Sequence, residues 1–199
     1  MALCSPVELI GQHARLLPLS VEHLAGLQDA CRDGELWKLW YTRVAGPHEM
    51  AAEIERRLAL QAQSSMLPFT VLDGPGPNAR IVGMTSFMNI DNVNRRVEIG
   101  STWIAPSAQR GPLNTECKLM LLGHAFEQLD CIAVELRTHR LNQQSRRAIE
   151  RLGAQLDGIL RAHQLGPDGT LRDTAVYSIT APEWPTVRMH LQWQLEKPR

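Results

Sequence analysis

Apolar and polar residues alternate over 97–102, with Val97 and Ile99 on one face and Glu98, Gly100 and Thr102 on the other, which predicts a strand. A loop holding Gly111 and Pro112 follows. Leu113, Cys117, Met120, Leu121, Ala125 and Phe126 then recur at three and four residues, predicting a helix to about Leu129. Upstream, the pattern predicts an edge strand over 9–19 and a helix over 21–31 capped by Ser20 and broken at Asp33 and Gly34. A short helix over 35–41 comes next. A longer one runs from Pro47 to Gln63, with Ala51, Ile54 and Leu58 inward and Glu53, Glu55, Arg56 and Arg57 as a solvated face. Strands over 67–72 and 81–90 flank the turn-forming run from Asp73 to Asn78 and read as a hairpin. Downstream come a strand over 132–137, a helix over 143–152 capped by Asn142 and stopped at Gly153, and a hairpin over 155–164 and 171–179 around Pro167, Asp168 and Gly169.

Three strands in succession, one crossover helix and a closing hairpin imply an α/β (α+β) fold. Its sheet is mixed, mostly antiparallel, of about seven strands, with helices on both faces. The length of 199 residues and the absence of a composition break imply one domain over 1–199. A C-terminal helix at about 182–195, carrying Trp184, Val187, Leu191 and Leu195, is expected to pack on its own sheet, with a homodimer contact as the alternative.

Charge and cysteine content narrow the function. Twenty-one basic and twenty-one acidic residues cancel, so no bulk field draws the chain to nucleic acid or an anionic membrane, and any phosphate must be met locally. No window approaches the roughly 20 apolar residues of a membrane span, and no targeting pattern opens the chain. Cys4, Cys31, Cys117 and Cys131 lack the spacing of a metal site or disulfide framework and read as reduced thiols of a cytoplasmic protein; no metal is expected. A strand, a short turn and a helix start are the elements of an anion site, because free backbone amides there satisfy phosphate oxygens.

The run from Glu98 to Pro106, the loop Gln109, Arg110, Gly111 and the segment from Asn114 to Lys118 resemble the acetyl-CoA-binding segment of the GNAT superfamily, most closely its RimJ/RimL-type N-acetyltransferases. The run from Val134 to Arg161 is similar to that group's second half, and the resemblance covers residues 9–180. It implies a GNAT-like sheet splayed between strands 4 and 5, with acetyl-CoA in the gap and CoA as product. Backbone groups of Trp103, Ile104 and Ala105 would hold the pantetheine arm like an added strand. Gln109 fits the first position of the family's loop pattern, whereas Pro112 and Asn114 stand where small residues are expected. Proline removes one amide donor, leaving those of Arg110, Gly111, Leu113, Asn114 and Thr115 for the diphosphate.

The resemblance also implies roles for single side chains. Asn142 would hold the cofactor and Ser145 would serve the departing sulfur; Arg146 and Arg147 read as surface charge, with the 3′-phosphate of CoA as the alternative partner of either. Glu98 is the candidate base for the amine, with a structural pair to Arg95 or Arg137 as the alternative reading. Trp37, Trp40 and Tyr41 form either the wall of a substrate cleft or a satellite core. His139 lies just after a strand, near where an acceptor would sit.

The implied reaction is acetyl transfer to a primary amine, on a protein N-terminus or a small molecule, by direct attack on the thioester. The alternatives are a non-catalytic acyl-CoA sensor of the same fold and an enzyme using another donor such as succinyl-CoA.

Overall fold

The computed structural model describes residues 5–166 and 168–197. Cys4 and Pro167 lie outside the described residues. The elements are β1 (Leu9–Ile10), β2 (Ala14–Pro18), α1 (Leu24–Arg32), α2 (Met50–Ala62), β3 (Met66–Asp73), β4 (Arg80–Asp91), β5 (Arg96–Ile104), α3 (Leu113–Gly123), β6 (Ala133–His139), α4 (Gln143–Glu150), β7 (Gln155–Leu165), β8 (Leu171–Thr180) and α5 (Trp184–Glu196). One eight-stranded sheet runs β1-β2-β3-β4-β5-β6-β8-β7, and only β5 and β6 pair in parallel.

Both faces of the sheet are covered. Neighbouring residues of β3 point opposite ways: Phe69 meets Phe87, which stacks on His124 beyond α3, whereas Thr70 hydrogen-bonds His23 at the start of α1. One face therefore carries α1 and α2, and the other carries α3, α4 and α5.

Several sequence expectations need correction. The strand expected over 9–19 is two, because Gly11 to His13 turn out of the sheet to meet α3: the buried Glu116 carboxylate accepts the amides of Gln12, His13 and Ala14 at 2.9, 2.6 and 2.8 Å. The helix expected over 35–41 is a 3₁₀ turn over Asp33–Lys38, kinked where Gly34 and Glu35 take positive φ. Arg57 is not solvated. It lies one turn from Ile54 on the inward face of α2 and is buried, reaching Ser86 Oγ at 3.1 Å and the Ser101 carbonyl at 3.2 Å. The C-terminal helix packs against α3 and the π-helical turn that follows it, His124–Gln128, where the rings of Phe126 and Trp184 stack 5.4 Å apart. No helix among the described residues is long and apolar enough to cross a membrane.

Candidate functional site

The site begins where β5 and β6 separate. Their parallel register covers three pairs, Arg96 with Ala133, Val97 with Val134 and Glu98 with Glu135, and then stops, although both strands continue. The cause is local to β5: two residues, Ser101 and Thr102, oppose the single Thr85 of β4, and Ser101 adopts φ 48°. Such a bulge bends its strand and increases its twist. Arg57 holds the bulged carbonyl. On the α3 face, Thr102 Oγ1 lies 2.8 Å from Thr85 Oγ1 and 3.1 Å from Lys118 Nζ. Lys118 is buried without a carboxylate partner among the described residues, and desolvation lowers its pKa to about 8.

Beyond the bulge, strand alternation decides which groups of Trp103, Ile104 and Ala105 reach the gap. Ala105 donates its amide to Val82 across β4, so Ile104 presents its amide and carbonyl to the opposite side, where β6 has left. The Ile104 carbonyl accepts Gln109 Nε2 at 2.7 Å. The expectation that all three residues offer backbone groups to a ligand thus narrows to Ile104, while the Trp103 ring is buried. The turn after β5 ends at Arg110, whose φ of 62° swings the chain into α3. The amides of Arg110, Gly111, Leu113, Asn114 and Thr115 have no acceptor among the described residues, and no side chain caps α3 at Pro112. These five outward amides at a helix start suit a diphosphate, and Pro112 supplies the correct φ at no loss to the helix.

Across the gap stands the N-terminus of α4. Asn142 is its cap, accepting the Ser145 amide at 3.0 Å, and the Ser145 hydroxyl has no partner among the described residues. Gln144 Nε2 reaches Gln109 Oε1 at 3.5 Å, linking the two helix starts. Arg146 turns inward: its Nε donates to the buried Tyr177 hydroxyl at 2.8 Å, so this guanidinium braces α4 on the sheet instead of standing free for a phosphate.

Glu98 occupies the other face, at the last paired position before the strands part, and is 6 % exposed. Asn89 Nδ2 donates to Glu98 Oε2 at 2.7 Å, and Arg137 Nε approaches the same oxygen at 3.5 Å. Arg137 makes its shorter contacts with Glu135, at 3.0 and 2.6 Å, and Arg95 pairs with Asp130. Burial is the largest influence on Glu98 and raises its pKa, opposed by the Asn89 hydrogen bond and the Arg137 charge. A cavity of about 190 Å³ opens beside this carboxylate, Asn89 and Arg137. Gly100 makes room for it, since a Cβ there would lie 2.8 Å from Glu98 Oε1 and 2.6 Å from Met88 Sδ. A larger groove of about 770 Å³, between α4, β7 and α5, lies away from the gap and contains none of these groups.

The aromatic cluster divides. Trp37 packs on the core beside Gly46, whereas Trp40 is exposed and meets the His139 ring edge-on at 5.2 Å and that of Tyr41 at 5.5 Å. His139 Nδ1 accepts the Leu141 amide at 3.0 Å, and burial, followed by the Arg172 charge, lowers its pKa, so the ring is neutral near pH 7. Lys118, Asn89, Arg137 and Arg172 were not singled out as site residues from the sequence. Period-two spacing alone could have aligned Glu135, Arg137 and His139 on one face of β6.

The comparisons agree with this geometry. The family model "Acetyltransferase (GNAT) domain" matches residues 13–155. The "Putative ribosomal N-acetyltransferase YdaF" of Bacillus subtilis (strain 168) is 35% identical over 105 residues, 52% of this chain and 56% of that protein, so the match spans about half the length of this curated relative. A crystal structure of a GCN5-related N-acetyltransferase from Brucella melitensis superposes with a TM-score of 0.84 at 29% identity, covering 96% of this chain and 86% of that one. The structure of Mycobacterium smegmatis RimJ in complex with CoA-disulfide shares the fold at 22% identity, with a TM-score of 0.77 over 96% of this chain and 93% of that one. A sheet that opens beside an uncapped helix start and a family model spanning most of the residues that build it lead to one conclusion: the chain belongs to the GNAT acetyltransferase family.

Proposed function

We propose that this protein transfers an acetyl group from acetyl-CoA to the primary amine of a small molecule or a protein N-terminus. The observation that carries this reading is the gap itself: amides of Ile104 and the α3 start without a partner among the described residues on one side, and a buried carboxylate whose pKa is raised by burial on the other. Acetyl-CoA supplies the activated acyl group. The α3 amides hold its diphosphate and Ile104 aligns the pantetheine arm, as Gln109 moves off the Ile104 carbonyl. Glu98 takes the proton of the acceptor ammonium, directly or through water in its cavity, for which a raised pKa suits it. The Ser145 hydroxyl, on the opposite face from Glu98 and without a partner among the described residues, donates a hydrogen bond to the departing sulfur. The buried free thiols of Cys31, Cys117 and Cys131 are consistent with a reducing cytoplasm.

A thermal-shift titration with acetyl-CoA, followed by thiol release on a panel of amines, tests the reading. Stabilisation with turnover on at least one amine is the expected result. Stabilisation with no turnover on any amine would make the protein an acyl-CoA sensor of the same fold. No stabilisation would remove both.

A further inference from the structure

Beyond Glu98, the same sheet face carries a line of cations that acetyl transfer alone does not require. The register aligns Glu98 with Glu135, Arg137 with Val176 and His139 with Thr174. Arg172 lies two residues before Thr174 on β8; the pairing with β7 is irregular here, but the extra residues fall on β7 between Leu160 and Gln164, so the alternation of β8 places Arg172 on this face with Glu98, Arg137 and His139. Arg137 is taken up by Glu135 and Glu98. Arg172 is not: among the described residues its guanidinium forms no ion pair, and its Nε is buried without a hydrogen-bond partner. Arg43, exposed on the loop that carries Trp40 and Tyr41, is close enough to oppose it, while Glu98 is close enough to attract it. A second cation beside an unpaired, partly buried guanidinium is an unfavourable arrangement that a bound anion would reverse.

We infer that Arg172, with Arg43, binds a carboxylate on the acceptor and thereby presents the acceptor's amine to Glu98. The substrate class is an amine carrying a carboxylate a few bonds away, either a free amino acid or a peptide N-terminus with an acidic side chain near its start. The planar, partly desolvated fork of arginine suits that group, and its charge also acts on His139, whose ring meets Trp40 edge-on. Arg172 here is a specificity residue, and the inference rests on the acetyltransferase reading above.

The experiment measures thiol release from acetyl-CoA with matched acceptors: glycine against glycinamide, and an N-terminal Ser-Glu peptide against Ser-Gln. Each pair is compared between wild type, Arg172→Gln, Arg172→Lys and the exposed-site variant Arg43→Gln, so differences in amine basicity cancel. The first pair reports a free amino acid and the second an acidic peptide. The acid-to-neutral ratio of kcat/KM is expected to be about tenfold higher in wild type than in Arg172→Gln for at least one pair, and that excess is the preference due to Arg172. Arg172→Gln should erase that preference through KM for the acid member, Arg43→Gln should reduce it, and Arg172→Lys should restore part of it. An acid-to-neutral ratio in wild type no higher than that in Arg172→Gln, for both pairs, overturns the inference and leaves the acetyltransferase reading standing. So does a fall in kcat on acid and neutral members alike in Arg172→Gln, which marks a structural role. Absence of thiol release with every amine overturns both.

Discussion

Replacing Glu116 tests how α3 is aimed at the gap. Its carboxylate is 6 % exposed and accepts three amides, Gln12 on Oε1 and His13 and Ala14 on Oε2. Hydrogen bonds to a charged acceptor contribute roughly 1.5–3 kcal/mol each, so simple addition would suggest roughly 5–9 kcal/mol. That sum is too large, because Gln12 is exposed and His13 half-buried, and water replaces the carboxylate at both; only the Ala14 amide is left buried and unpaired. Glu116→Ala should therefore cost about 3 kcal/mol, lowering the melting temperature by roughly 6–12 °C for a chain of this size. Glu116→Gln keeps one oxygen for His13 and Ala14 and turns its amide group toward Gln12, so the cost should be about 1 kcal/mol. Urea denaturation supplies both values, and acetyl-CoA titration of the folded variants reads the aim of the helix start. If the alanine variant matches wild type in both measurements, the clamp contributes neither stability nor placement. If glutamine is as damaging as alanine, the charge matters and the count of acceptors does not.

Three further outcomes follow from the same geometry. Lys118 is held at about 8 against an ordinary 10.5, so the folded state binds fewer protons than the unfolded chain between these values, and stability should rise with pH across that window by about 3 kcal/mol. Lys118→Met should be more stable than wild type at pH 7 and lose the rise, as read by melting curves from pH 7 to 10.5; a parallel rise in the variant would refute the assignment. Glu98 has the opposite sense: its raised pKa favours folding at acid pH, and this contribution is lost as pH rises through the folded value. Glu98→Gln should thus hold its melting temperature between pH 4 and 8 better than wild type while losing about 100-fold or more in kcat; unchanged kinetics at every pH would exclude Glu98 as base. Gly100→Ala places a methyl group against Glu98 Oε1 and Met88 Sδ; both side chains must shift, turning the carboxylate that Asn89 holds by its other oxygen. The variant should lose about 1–3 kcal/mol of stability and at least tenfold in kcat, and a crystal structure with Glu98 unmoved would contradict the argument.

What could be read from the chain was whatever depends on near neighbours. Period-two runs located the meander and closing hairpin, three- and four-residue spacing located α2, α3, α4 and α5, and Asn142 announced the start of α4 because a cap acts within one turn. The helix start after Gly111 was legible for the same reason. Pairings across the sheet were not. Glu116 meets amides 102 to 104 residues away; Gly11 marks a break in residues 9–19, but nothing there names the distant side chain that fills it. The bulge at Ser101 appears only when β5 is laid against β4, and it parts β5 from β6, hides Arg57 and leaves Ile104 as the residue whose backbone faces the gap. Arg172, Arg43 and Glu98 come from β8, an irregular loop and β5, and only closure of the sheet brings their charges together. Local hydrogen bonding and periodicity set the elements; register and strand order, which no single segment contains, decided which side chains share the gap.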